Sequence, residues 1–167
     1  MNEGSVRVYY GNGAGKSSAA LGYALRAAAD GKTAIIIQFL KAEVNYDYLS
    51  KLEPEIRIFR FERTKECFSE LSSDEQEDEK LNIRNGVAFA KKVISTGECD
   101  LLILDEILGA VNEGIVPEEE VVSALSQAGE GMEVILTGRS LPDAIREVSS
   151  SVYNITPEKE ERDNAGI

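Results

Sequence analysis

Apolar positions along the chain follow two alternating rhythms. Short runs rich in β-branched and aromatic residues predict strands at Val6–Tyr10, Thr33–Leu40, Ile56–Phe61, Asp100–Asp105, Val134–Thr137 and Val152–Ile155. Thr33–Leu40 (TAIIIQFL) is almost uninterrupted apolar, as a strand buried on both faces of a parallel sheet is, and Asp100–Asp105 (DLLILD) reads as the next central strand. Ile56–Phe61 (IRIFRF) alternates apolar residues with arginine and predicts a more exposed strand. Helical patterns fill the intervals. Lys16–Ala29 is rich in alanine and leucine and stops at Asp30-Gly31, where glycine supplies the terminating conformation. Ser73 opens a long helix, with Gln76 completing a capping box. Asp74, Glu75, Glu77, Asp78 and Glu79 match the positive end of its dipole, and Ile83, Val87, Ala90 and Ile94 form one buried stripe. Pro117 takes the first position of a helix carrying Val121, Val122 and Leu125, and a short helix runs from Pro142 to Val148.

This β-α-β-α order predicts an open, mostly parallel α/β sheet with right-handed crossovers and helices flanking it. No internal repeat or linker interrupts it, so residues 1–167 read as one domain, with 158–167 as a loosely structured tail.

Composition narrows the chemistry. A 167-residue chain can bury one real core, and 43% hydrophobic with 29% charged residues describes a globular protein. No stretch approaches the roughly 20 apolar residues of a membrane span, and no basic-then-apolar signal pattern opens the chain. A cytoplasmic protein without membrane association is the expectation. The net charge of −12 argues against a broad surface for nucleic acid, though not against a nucleotide in a local pocket. Cys67 and Cys99 lack metal-ligand spacing and read as unpaired thiols. The chain has no histidine, which removes Ser-His-Asp triads, imidazole bases and histidine metal ligands together.

Gly11-Asn12-Gly13-Ala14-Gly15-Lys16-Ser17 lies where phosphate chemistry wants it, after a strand and before a helix. Glycines let the backbone curl so that successive amides point inward, and the helix terminus adds its dipole. Lys16 would neutralise the β- and γ-phosphates of ATP, and Ser17 would place its hydroxyl on magnesium. The spacing departs from the usual pattern. That pattern has a glycine five positions before Gly15, where this chain has Tyr10, and the glycine comes one residue late, at Gly11. Taken alone the turn could be functionless; Gly-Lys-Ser-Ser in this context points to phosphate. Asp105-Glu106 ends a predicted strand as the acids that hold magnesium do, and alone it could equally cap an ordinary buried strand. Thr137-Gly138-Arg139 follows another strand and puts Arg139 at the carboxyl edge of the sheet, where open α/β sheets bind ligands, or on a plain surface turn.

The shortened turn, running on through Ser18-Ala19-Ala20-Leu21-Gly22 to Arg26, resembles the P-loop type of ATP:cob(I)alamin adenosyltransferase. So do Gln38-Phe39-Leu40-Lys41, Leu104-Asp105-Glu106-Ile107 and Leu136-Thr137-Gly138-Arg139, in the family's order and over nearly the whole chain. The resemblance implies a RecA-like, three-layer α/β/α fold, usually dimeric. It also implies transfer of the 5′-deoxyadenosyl group of ATP to the cobalt of a reduced cobalamin or other corrinoid, with release of triphosphate. Under it, Asn12, Gly13, Ala14, Gly15, Lys16, Ser17 and Ser18 hold the triphosphate. Ser17, Asp105 and Glu106 serve magnesium, Lys16 and Glu106 act in catalysis, and Arg26 and Arg139 contact nucleotide.

Three positions depart from the family pattern. Ala14 stands where a lysine is usual. Cys67-Phe68-Ser69-Glu70-Leu71 replaces a Gly-Phe-Thr-Trp segment, leaving Phe68 as the corrinoid-contact candidate in a chain without tryptophan. Pro157-Glu158-Lys159-Glu160-Glu161-Arg162-Asp163 lacks the family's histidine. The competing readings are a divergent ATP-binding module without corrinoid chemistry and a small ATPase or kinase; their products separate the three.

Overall fold

The computed structural model describes residues 4–40, 47–61 and 66–159. Six strands form one sheet: β1 (Ser5–Tyr10), β2 (Ala34–Gln38), β3 (Ile56–Arg60), β4 (Leu101–Asp105), β5 (Glu133–Gly138) and β6 (Ser151–Asn154). Their spatial order is β3-β2-β4-β5-β1-β6, and every neighbouring pair is parallel. The two apolar runs lie inside the sheet as β2 and β4, buried at every position, while the arginine-alternating β3 is an edge strand.

Alternation along the strands sorts side chains onto two faces. Tyr9, Ala34, Ile36, Ile56, Leu101, Ile103 and Ile135 face α1 (Lys16–Ala29), which meets them through the small residues Ala20 and Ala24. Val8, Ile35, Ile37, Leu102, Leu104, Val134 and Leu136 belong to the larger cluster on the other face. There they pack with α2 (Ser73–Thr96), α3 (Ile107–Asn112), α4 (Glu118–Leu125) and α5 (Asp143–Val148). The predicted three layers and the predicted stripe Ile83, Val87, Ala90 and Ile94 are both present, the stripe fully buried.

Several sequence expectations shift. The capping box of α2 uses Ser72 and Glu75, one residue earlier than Ser73 and Gln76. Gln76 instead donates its side-chain amide to the Phe68 and Leu71 carbonyls, stitching the preceding turn to the helix. Pro117 and Pro142 are N-cap residues with extended ψ rather than first helical residues. The strand predicted over Thr33–Leu40 is trimmed to Ala34–Gln38, and Leu40 sits at φ 51°, outside the ladder. Helix α3 was not anticipated. Among the described residues no helix is long and apolar enough to cross a membrane.

Candidate nucleotide site

The glycine turn leaves β1 at Gly11 (φ 121°) and enters α1 through Gly15 (φ 100°), a left-handed N-cap without a side-chain cap. The first amides of α1 therefore present a helix N-terminus of the anion-binding kind. The turn is pinned on both flanks. Gly11 N–H donates to the carbonyls of Gly138 and Arg139 at 3.2 and 3.1 Å, and Gly13 N–H donates to the Ile155 carbonyl at 2.8 Å. These two amides face the protein, so the expectation that every amide of the turn curls toward phosphate is corrected at Gly11 and Gly13. Their lack of a side chain is what the packing requires. A Cβ on Gly13 would lie 2.8 Å from the Ile155 oxygen, and one on Gly11 would run into the same carbonyl. Lys16 folds over the turn, its Nζ donating to the Gly13 carbonyl at 2.7 Å. Asn12, Ala14 and Ser18 are exposed around it.

Strand β5 lies between β1 and β4, and its end touches both the glycine turn, through the Gly138 carbonyl, and the acidic pair, through Thr137. Thr137 Oγ1 donates to Asp105 Oδ1 at 2.6 Å and accepts the Glu106 amide at 2.9 Å. Ser17 Oγ donates to the same Asp105 oxygen at 2.8 Å, tying α1 to the end of β4. Asp105 is only 2% exposed. Glu106 is left-handed at φ 63° and opens α3, so the chain turns sharply where β4 ends. A serine hydroxyl and carboxylate oxygens form a hard donor set of the kind magnesium takes when phosphates and water complete its octahedron. Among the described residues no cluster of three carboxylates or thiols offers an all-protein cage.

The family model described as ATP:corrinoid adenosyltransferase BtuR/CobO/CobP matches residues 2–167. The chain belongs to this family. The corrinoid adenosyltransferase of Escherichia coli is 32% identical over 164 residues, spanning 98% of this chain and 82% of its own length. Corrinoid adenosyltransferase CobA of Salmonella typhimurium is 30% identical with the same coverage. Among solved structures, a KaiC-like protein from Pyrococcus horikoshii aligns with TM-score 0.59 at 15% identity, over 92% of this chain and 71% of that one, a likeness of fold.

Not every position matched to the adenosyltransferase family converges on the turn. Arg139 follows β5 directly, exposed, with its carbonyl on Gly11. Arg26 lies in the last turn of α1, roughly 15 Å along the helix from Lys16. It sits over the Tyr23 ring and lines an open cleft of about 520 Å³ with Ser5, Lys32, Asp100 and Met132 at the amino edge of the sheet. Within the chain Arg26 is not brought to the glycine turn. Phe68 occupies a short 3-10 turn (Phe68–Glu70), half-buried against the α2-side core. Lys41 and the segment 160–163 lie outside the described residues.

Tyr10, the residue in place of the missing glycine, remains a strand residue paired with Gly138 and Asn154. Its hydroxyl accepts from Arg146 at 3.4 Å and Asn154 at 3.1 Å, and the Arg146 hydrogen bond is the main cause that lowers its pKa. Sequence reasoning missed Thr137 as a linker and Ile155 as a brace. A threonine ending an apolar strand was the legible signal for the first; a main-chain carbonyl leaves none for the second.

Proposed function

We propose that this chain binds magnesium-ATP at the glycine turn and transfers its 5′-deoxyadenosyl group to the cobalt of a reduced corrinoid. The observation that carries the reading is the Ser17–Asp105 hydrogen bond. It brings the hydroxyl of the phosphate turn and the carboxylate of the acidic strand to the same point, as a metal shared with a triphosphate requires. Asn12 to Ser18 surround the triphosphate, with the N-terminal amides of α1 and the Lys16 ammonium opposing its charge. Lys16 exchanges the Gly13 carbonyl for phosphate oxygens. Ser17, Asp105 and Glu106 hold magnesium, which when bound neutralises charge on the leaving triphosphate.

Cobalt(I) of the corrinoid substrate supplies the electron pair that forms the cobalt–C5′ bond. The C5′–O bond breaks, and its electrons leave on the triphosphate. The nucleophile needs no deprotonation, so a chain lacking histidine suffers no deficit. Its residues orient the ribose carbon and stabilise the departing anion. Arg139 meets the nucleotide; its exposure at the carboxyl edge, next to Gly11, supports that role.

Mixing the protein, magnesium-ATP and chemically reduced cobalamin tests this. The corrin absorption spectrum shifts as the adenosyl product forms and triphosphate appears, and Lys16→Ala abolishes both. Bound ATP with no spectral change would instead favour a binding module, and ADP with phosphate a hydrolase.

A further inference from the structure

Gln38 ends β2 within the Gln38-Phe39-Leu40 run, and the reading of the site above gives it no part. It is 3% exposed, one of few buried polar residues among those described. Its register partner on β4 is Asp105, so both side chains leave the sheet on the face covered by α1. Asp105 is tied to Ser17 and Thr137, yet the Gln38 carboxamide makes no hydrogen bond among the described residues. Buried amides are nearly always paired, and one that is not asks for a ligand or a water.

The space beside it answers that. Gln38, Asp105 and Ser17 line a cavity of about 10 Å³ together with Leu21, Ile36, Ile58 and Ile103. A volume of that order accommodates the centre of a single water molecule. Among the described residues, its polar walls are the Gln38 amide, the Asp105 carboxylate and the Ser17 hydroxyl. A water there has enough polar partners to be retained, and two of them are groups assigned above to magnesium.

We infer that Gln38 is a positioning residue of the metal site: its carboxamide holds a water that completes the hydration of magnesium beside Ser17 and Asp105. The inference rests on the proposed magnesium role of those two residues. Residue chemistry adds a consequence. A carboxamide can orient a water but has no basicity to deprotonate it, so the water is held without being activated against the triphosphate. This suits an enzyme whose ATP must be attacked at C5′ and spared at phosphorus.

Gln38→Leu keeps the volume and removes the hydrogen-bonding groups. ATP binding is measured by calorimetry across a magnesium titration, with thermal unfolding of the unliganded protein alongside. For Gln38→Leu the half-saturating magnesium concentration rises about tenfold. ATP binding without magnesium is unchanged, and unfolding temperature is equal or higher because an unpaired buried amide has gone. Gln38→Glu, which keeps an acceptor oxygen, restores the magnesium dependence. An unchanged magnesium requirement in Gln38→Leu, with the natural chain still magnesium-dependent, overturns the role of Gln38 alone. A fall in unfolding temperature with equal losses of binding with and without metal overturns it in favour of a purely structural role. If the natural chain binds ATP equally well without magnesium, the metal reading itself falls and this inference with it.

Discussion

A backbone amide that donates to a protein carbonyl is not available to a phosphate oxygen. Gly11 and Gly13 donate theirs to Gly138, Arg139 and Ile155, so these glycines shape and anchor the turn, and the proposed phosphate contacts fall to the residues leading into α1. Gly13 tolerates nothing larger, because the atom a side chain would meet is a main-chain oxygen that cannot swing aside. Gly13→Ala therefore weakens ATP binding by at least about tenfold, the loss of roughly one charge-assisted hydrogen bond. Calorimetry measures it, and near-native affinity would show that the brace has slack. The one-residue-short spacing becomes intelligible here. Tyr10 stays in the β1 ladder, held at its hydroxyl by Arg146 and Asn154, and the turn begins only at Gly11.

Element boundaries were legible to within a residue or two wherever a long periodic pattern met a chemical stop signal. Lys16–Ala29 was read correctly at both ends, because a glycine turn precedes it and Asp30-Gly31 follows. The start of α2 at Ser73 was read correctly, but its capping pair was misread by one residue because Ser72 and Ser73 both have a plausible partner three positions on. The structure separates them: Ser72 Oγ accepts the Glu75 amide and Glu75 returns to the Ser72 amide. Ser72→Ala costs about 1 kcal/mol of stability while Ser73→Ala stays within about 0.5 kcal/mol, as urea unfolding of the two variants would show. Helix α3 escaped notice for a different reason. Six residues, ILGAVN, are too few to display a period, and its first cap is the left-handed Glu106, a conformation no sequence rule assigns to glutamate. The same limit hid the site's linkages. Asp105 and Glu106 were visible as residue types, but Thr137 bonds to both only because β5 lies beside β4, and strand order is not written in local pattern.

At the scale of the whole molecule, an all-parallel sheet covered on both faces shields its interior groups from bulk solvent, and burial displaces the titration of one of them. Burial pushes the Cys99 thiol from its ordinary 9.0 up to about 11. Between those values the unfolded chain releases the proton and the folded chain keeps it. The folded state then binds more protons, and stability falls as pH rises through that window. Between about pH 8 and pH 11 the natural chain loses about 2 kcal/mol more than Cys99→Ala, which removes the group. Parallel slopes for the two chains would place the thiol in contact with solvent.

The brace on the glycine turn also has a meaning in time. The Ile155 carbonyl that fixes Gly13 follows it about 140 residues later in the chain, just after β6, which pairs with β1 at the sheet edge. A ribosome making the protein lays down the glycine turn about 140 residues before its clamp. Until β6 has emerged and docked on β1, the turn has only its β5 flank to hold it. Nascent chains cut short before Ser151 can therefore carry an intact glycine motif and still be unable to retain ATP, which couples the birth of the binding site to completion of the sheet.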